Sequence, residues 1–166
     1  MKQLGYILLV DDDESDVELT LRALTQSRLA NEIVVARDGA EALALLNHRG
    51  SSGAHYDTDP MVVLLDINMP KVNGIDVLKT IKRDPRLQAI PVVMLTSSNL
   101  EPEIEVCYGL GANGYVVKPV DFGQFYEAVK LIGKFWAVLN EAPPTKSHAA
   151  PSGIQPLATL PKSDAM

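Results

Sequence analysis

The chain has 166 residues, 46% of them hydrophobic and 22% charged, the balance of an ordinary globular domain. Its formal net charge of −6 argues against a nucleic-acid surface, which carries a basic patch or stripe, and its single cysteine, Cys107, excludes an internal disulfide framework. The apolar run ending at Val10 is cut by Asp11, Asp12 and Asp13 too early for a signal peptide, and no apolar run approaches the roughly 20 residues that span a bilayer. The expectation is a soluble, cytoplasmic protein.

Taken in order, Tyr6 to Val10 predicts a first short strand, followed by a helix with Val17, Leu21 and Leu24 at i, i+4, i+7 and acids in its first turn. Asp13 fits the N-cap of that helix better than a ligand position. Glu32 to Ala36 predicts a second strand, and Gly39 to Leu46 a second helix with Ala42, Leu43 and Leu46 on one face. The polar stretch from Asn47 to Pro60 exceeds the roughly 2–6 residues of an ordinary helix-to-strand connection and is expected to be a surface insertion. Met61 to Leu65 is an unbroken apolar run ending directly in Asp66, the signature of a buried parallel strand with a carboxylate at its end.

A third helix places Ile75, Leu78 and Ile81 on one face and stops before Pro85. Pro91 to Leu95 predicts the fourth strand, ending in Thr96, Ser97 and Ser98. Ser98 and Glu101 have the spacing of a capping box for a fourth helix, with Ile104, Cys107 and Tyr108 expected to face inward. Gly114 to Val117 predicts the fifth strand, ending in Lys118 and Pro119, and Asp121 with Gln124 can cap a last helix that runs to about Leu139. His48, His55 and His148 have no metal-ligand spacing and receive no role.

Strands alternating with helices imply an α/β fold, a parallel sheet with helices on both faces. The domain is expected over residues 1–141. The Pro/Ala-rich tail over 142–166 shows no sustained periodicity and is expected to be disordered.

Polar residues follow four of the five strands: Asp11 and Asp12, then Asp66, Thr96 and Lys118. In a five-stranded sheet of order 2-1-3-4-5, strands one and three flank the switch point where ligands bind, so their carboxylates converge. Carboxylates crowded in one crevice repel and raise one another's pKa unless a cation sits among them. Hard oxygen donors without His or Cys suit Mg²⁺ or Mn²⁺. Acids with a divalent cation, a hydroxyl and a lysine make a site for a phosphoryl group, with Asp66 as its acceptor.

Val10-Asp11-Asp12, Leu65 to Pro70, Leu95-Thr96-Ser97 and Tyr115 to Pro119 together resemble the four signatures of a response regulator receiver domain, in the right order over about Tyr6 to Leu139. The resemblance implies the flavodoxin-like receiver fold and a two-component phosphorelay. Asp66 would be phosphorylated by a sensor histidine kinase. Asp12 would bind Mg²⁺ directly, Asp11 largely through water, and the Asn68 carbonyl would join Asp66 as a ligand. Thr96 and Lys118 would contact the phosphoryl group, with a cis bond from Lys118 to Pro119. Tyr115 would rotate inward as Thr96 moves, and the small Ser97 would leave access open. Ser98, expected first as a cap, lies where receivers also tune dephosphorylation.

Softer features are similar to single-domain bacterial regulators that partner phytochromes: Asp16-Val17 with Leu19-Thr20, the long loop before the third strand, and Phe135-Trp136. They imply a bacteriophytochrome-type kinase as partner. Two other readings compete. A phosphate-independent receiver-like scaffold would not need the full acid pocket. A Mg²⁺-dependent phosphohydrolase of the haloacid dehalogenase type would need a second acid where Asn68 stands. The expectation is therefore a phosphoacceptor switch rather than an enzyme, signalling through protein–protein contacts.

In the last helix, Phe125, Val129, Ile132, Trp136 and Leu139 form a 4-3-4-3 seam, whose first half is expected to pack on the sheet. Tyr126, Phe135 and Val138 lie off that stripe, and this apolar surplus predicts a homodimer near the last helix.

Overall fold

The computed structural model describes residues 5–47 and 58–143. The expected tail beyond 143, most of the Asn47–Pro60 connection and all three histidines lie outside the described residues. The elements in order are β1 (Ile7–Val10), α1 (Glu14–Gln26), β2 (Ile33–Ala36), α2 (Gly39–Asn47), β3 (Val62–Leu65), α3 (Gly74–Arg83), β4 (Val92–Thr96), α4 (Glu101–Leu110), β5 (Gly114–Val117) and α5 (Phe122–Lys134). A π-helical turn, Phe135–Leu139, prolongs α5.

All five strands are parallel, in the order β2-β1-β3-β4-β5. This is the doubly wound α/β sheet that the alternating pattern predicts. The three interior strands, β1, β3 and β4, are buried along their whole length, which is why β1 and β3 read as unbroken apolar runs. Successive side chains serve opposite faces. Leu8, Val10, Val63, Leu65 and Met94 pack with Ala42 and Leu46 of α2, Val77, Leu78 and Ile81 of α3, and Cys107 of α4. Ile7, Leu9, Val62, Leu64, Val93 and Leu95 pack with Val17 and Leu24 of α1 and Phe125 and Val129 of α5.

Local chemistry sets the helix starts. Asp13, Asn73 and Asp121 each cap a helix by accepting from the backbone N–H three residues on. The capping box expected at α4 does not form. Its N-cap is Leu100, with no side-chain cap, because Pro102 in the first turn fixes where the helix begins. The Ser98 hydroxyl donates instead to the Glu103 carboxylate. Tyr108, expected to face inward, is 52% exposed, since α4 turns only Cys107 fully toward the sheet. In the last helix the seam divides: Phe125 and Val129 are buried and Leu139 is exposed.

Candidate functional site

The register of β1 and β3 sets the site. Val10 pairs beside Leu65, and the Asp66 N–H donates to the Val10 carbonyl at 3.0 Å, so Asp11 and Asp66 leave the sheet side by side. Both are buried, while Asp12 is exposed. One carboxylate oxygen from each of Asp11, Asp12 and Asp66 lies within 4.8 Å of the others. The three supply only hard oxygen donors, a set that fits Mg²⁺ or Mn²⁺ and not a thiolate- or imidazole-seeking metal.

Two backbone amides hold the buried acids in place. The Asp13 N–H donates to Asp11 Oδ1 at 2.9 Å, and the Ile67 N–H donates to Asp66 Oδ1 at 2.7 Å. Gly74, at the start of α3, closes the turn behind Asp66 by donating to the Ile67 carbonyl at 2.8 Å. A Cβ there would stand 1.9 Å from the Asp66 carbonyl oxygen, so only glycine permits this approach.

Lys118 enters from the end of β5. Its N–H donates to the Thr96 carbonyl at 2.7 Å, which continues the β4–β5 ladder and aims the side chain across the strand ends. Nζ donates to Asp11 Oδ2 at 2.7 Å, Asp16 Oδ2 at 2.8 Å and Asp66 Oδ2 at 3.2 Å, with the lysine side chain only 7% exposed. Burial pushes the Asp11 carboxyl up to about 6, against the opposing pull of Lys118 and the Asp13 N–H. The repulsion from Asp66 anticipated between crowded acids adds to this but is the smaller cause. Burial alone would lower the Lys118 ammonium; its bonds to Asp11 and Asp16 and the charges of Asp11 and Asp66 outweigh it and hold it above the ordinary lysine value. The arrangement is a partly buried lysine head set among three carboxylates.

The remaining residues form a second group beside the acids. Thr96 is fully buried, and its hydroxyl accepts from the Ser98 N–H at 3.3 Å. The Tyr115 hydroxyl donates to the Ser98 carbonyl at 3.0 Å, and burial raises that phenol's pKa. Ser97 and Asn68 are exposed, and Pro119 is half-buried. The resemblance implied a cis bond before Pro119. Among the described residues every peptide bond is trans, the isomer that an X–Pro bond favours by about 0.5–1 kcal/mol.

Asp16, in the sequence only a mark of family resemblance, is one of the three partners of Lys118 in the site. A signal was present: Asp16 stands in the first turn of α1, where side chains lean back toward the helix start, here the acid pocket.

The family model described as "Response regulator receiver domain" matches residues 7–130. Response regulator Rcp1 of Synechocystis sp. is 37% identical over 132 residues, covering 78% of this chain and 87% of that protein. The solved Mn(2+)-bound form of Rcp1 superposes with a TM-score of 0.77 at 35% identity, over 84% of this chain and 99% of that one. The phosphorylated cyanobacterial phytochrome response regulator RcpA gives a TM-score of 0.78 at 38% identity, over 85% and 99% of the two chains. The bacteriophytochrome response regulator AtBRR is 55% identical, with a TM-score of 0.65, over 84% and 99%.

Proposed function

This chain belongs to the response regulator receiver domain family, and on that premise we propose that Asp66 accepts a phosphoryl group from a sensor histidine kinase. The observation that carries the proposal is the buried Asp66 at the end of β3, clustered with Asp11 and Asp12 and reached by Lys118 at 3.2 Å. In the transfer, the P–N bond of the kinase phosphohistidine breaks as a P–O bond forms to an Asp66 carboxylate oxygen. The imidazole leaves with the P–N electron pair and takes up a proton.

Asp11, Asp12 and Asp66, with the Asn68 carbonyl, would hold Mg²⁺ or Mn²⁺, which when bound neutralises charge on the transferring group. Lys118 supplies a fixed positive charge toward a phosphoryl oxygen. The Thr96 hydroxyl exchanges its bond from the Ser98 N–H for one to the phosphoryl group. Tyr115, tied to the Ser98 carbonyl, then turns inward with it. Exposed Ser97 and half-buried Pro119 border this path. Phosphorylation adds about 1.5–2 negative charges and strong acceptor oxygens, enough to bias a two-state element.

The resemblance to AtBRR and RcpA supports a bacteriophytochrome-type kinase as donor in a bacterial cytoplasm. Among the described residues no helix is long and apolar enough to cross a membrane. Output runs through protein–protein contacts, with no nucleic acid bound. The domain closes near residue 141.

A homodimer forms near the last helix, where Leu131, Phe135, Val138 and Leu139 leave apolar surface exposed. Light scattering at micromolar concentration should give twice the chain mass in at least one phosphorylation state; a monomer in both would remove the dimer. The phosphoacceptor is tested by intact-mass spectrometry after incubation with Mg²⁺ and acetyl phosphate. The expected result is a gain of one phosphoryl group, lost with EDTA and in Asp66→Asn. A gain that persists in Asp66→Asn would contradict the assignment.

A further inference from the structure

Lys118 has three carboxylate partners, and two of them, Asp11 and Asp66, belong to the cluster that fits a divalent cation. Asp16 does not belong to that cluster. It sits in the first turn of α1, where its own N–H donates to Asp13 Oδ1 at 2.9 Å, so the cap that starts the helix also fixes the backbone from which this carboxylate leans. Its side chain is 36% exposed, against 3% for Asp11 and 10% for Asp66. Asp16 is thus the outermost of the three and binds Lys118 from the solvent side.

A divalent cation at Asp11, Asp12 and Asp66 competes with Lys118 for two of the same carboxylates, Asp11 and Asp66, and repels its ammonium. A lysine head with 7% side-chain exposure cannot be left unpaired without a large desolvation cost. Resting on the phosphoacceptor reading above, we propose that Asp16 is a positioning residue, which keeps Lys118 paired and aimed at Asp66 when the cation engages Asp11. Asp16 touches neither the cation cluster nor the reacting oxygen and acts through Lys118 alone.

The test uses the full chain labelled with ¹⁵N at lysine, the Lys118 signal being assigned by its loss in Lys118→Arg. A buried, ion-paired ammonium exchanges its protons with water slowly and gives a visible ¹⁵Nζ signal. In the wild type that signal should persist when Mg²⁺ is added, and in Asp16→Asn it should vanish on the same addition. Loss in the wild type, or persistence in a folded Asp16→Asn, overturns the proposal.

The second readout is the rate of phosphorylation of Asp66 by acetyl phosphate. It should fall about threefold to tenfold in Asp16→Asn, and show no further fall when Asp16→Asn is added to Lys118→Ala. Removing a negative charge would by itself speed reaction with an anionic donor, so a faster Asp16→Asn contradicts the proposal. An equal fall in both backgrounds contradicts it too, because the effect would then not pass through Lys118. If the wild type takes no phosphoryl group under any donor, the phosphoacceptor reading fails, and the ¹⁵Nζ response to Mg²⁺ still decides the role of Asp16.

Discussion

Helices α3 and α4 each span ten residues and lie on the same face of the sheet, packed against each other, yet they are held very differently. α3 buries Gly74, Val77, Leu78 and Ile81, is capped by Asn73, and closes the turn behind Asp66. α4 buries only Cys107, has no side-chain cap, and leaves Val106 and Tyr108 exposed. Asp66, the proposed acceptor, is thus fastened to a firmly packed helix. The loop after Thr96, whose Ser98 carbonyl accepts from Tyr115, leads into a lightly packed one. A switch needs that division, because the reacting atoms must stay in place while an element of low local stability responds.

The sharpest way to break this contrast is to remove matched side chains. Ile81→Ala in α3 should cost about 2–5 kcal/mol of unfolding free energy, as buried large-to-small changes do. Val106→Ala, exposed on α4, should stay within about 0.5 kcal/mol. Urea denaturation of the two variants checks both values, and similar losses would mean that α4 is as tightly held as α3.

A smaller effect concerns the charge buried beside α3's end of the sheet. A carboxylate whose folded pKa is raised contributes its stability fully below the unfolded value near 3.8 and loses it as pH rises through the folded value, here about 6. Without Mg²⁺, the wild type should therefore gain stability relative to Asp11→Asn as pH falls from 7.5 to 5. Urea midpoints for the two proteins across that range measure it. Saturating Mg²⁺ should weaken the trend, because a bound cation favours the ionised carboxylate.

The legible parts of this protein were those written in short-range patterns. Unbroken apolar runs marked β1 and β3, and the acids directly after them marked the strand ends. Asp13 and Asp121 stood at cap positions that the structure fills. Order and parallel pairing followed from strand–helix alternation and the linked motifs. What stayed hidden depends on distant or competing contacts. Asp16 and Lys118 are 102 positions apart, and no local pattern joins them. The Ser98–Glu101 spacing fits a capping box, but Pro102 sets the helix start and Ser98 turns to Glu103. Tyr108 lies four residues after Ile104, a spacing that marks a buried face only where the helix buries a full stripe, and α4 buries Cys107 alone.

The most direct test of the division between anchor and responder is hydrogen exchange, read by mass spectrometry on the Mg²⁺-loaded chain before and after phosphorylation at Asp66. Peptides covering α4 and β5 should change their exchange while those covering α3 should not. An equal response in α3 and α4, or an unchanged α4 in a chain whose mass shows the phosphoryl group, would contradict it.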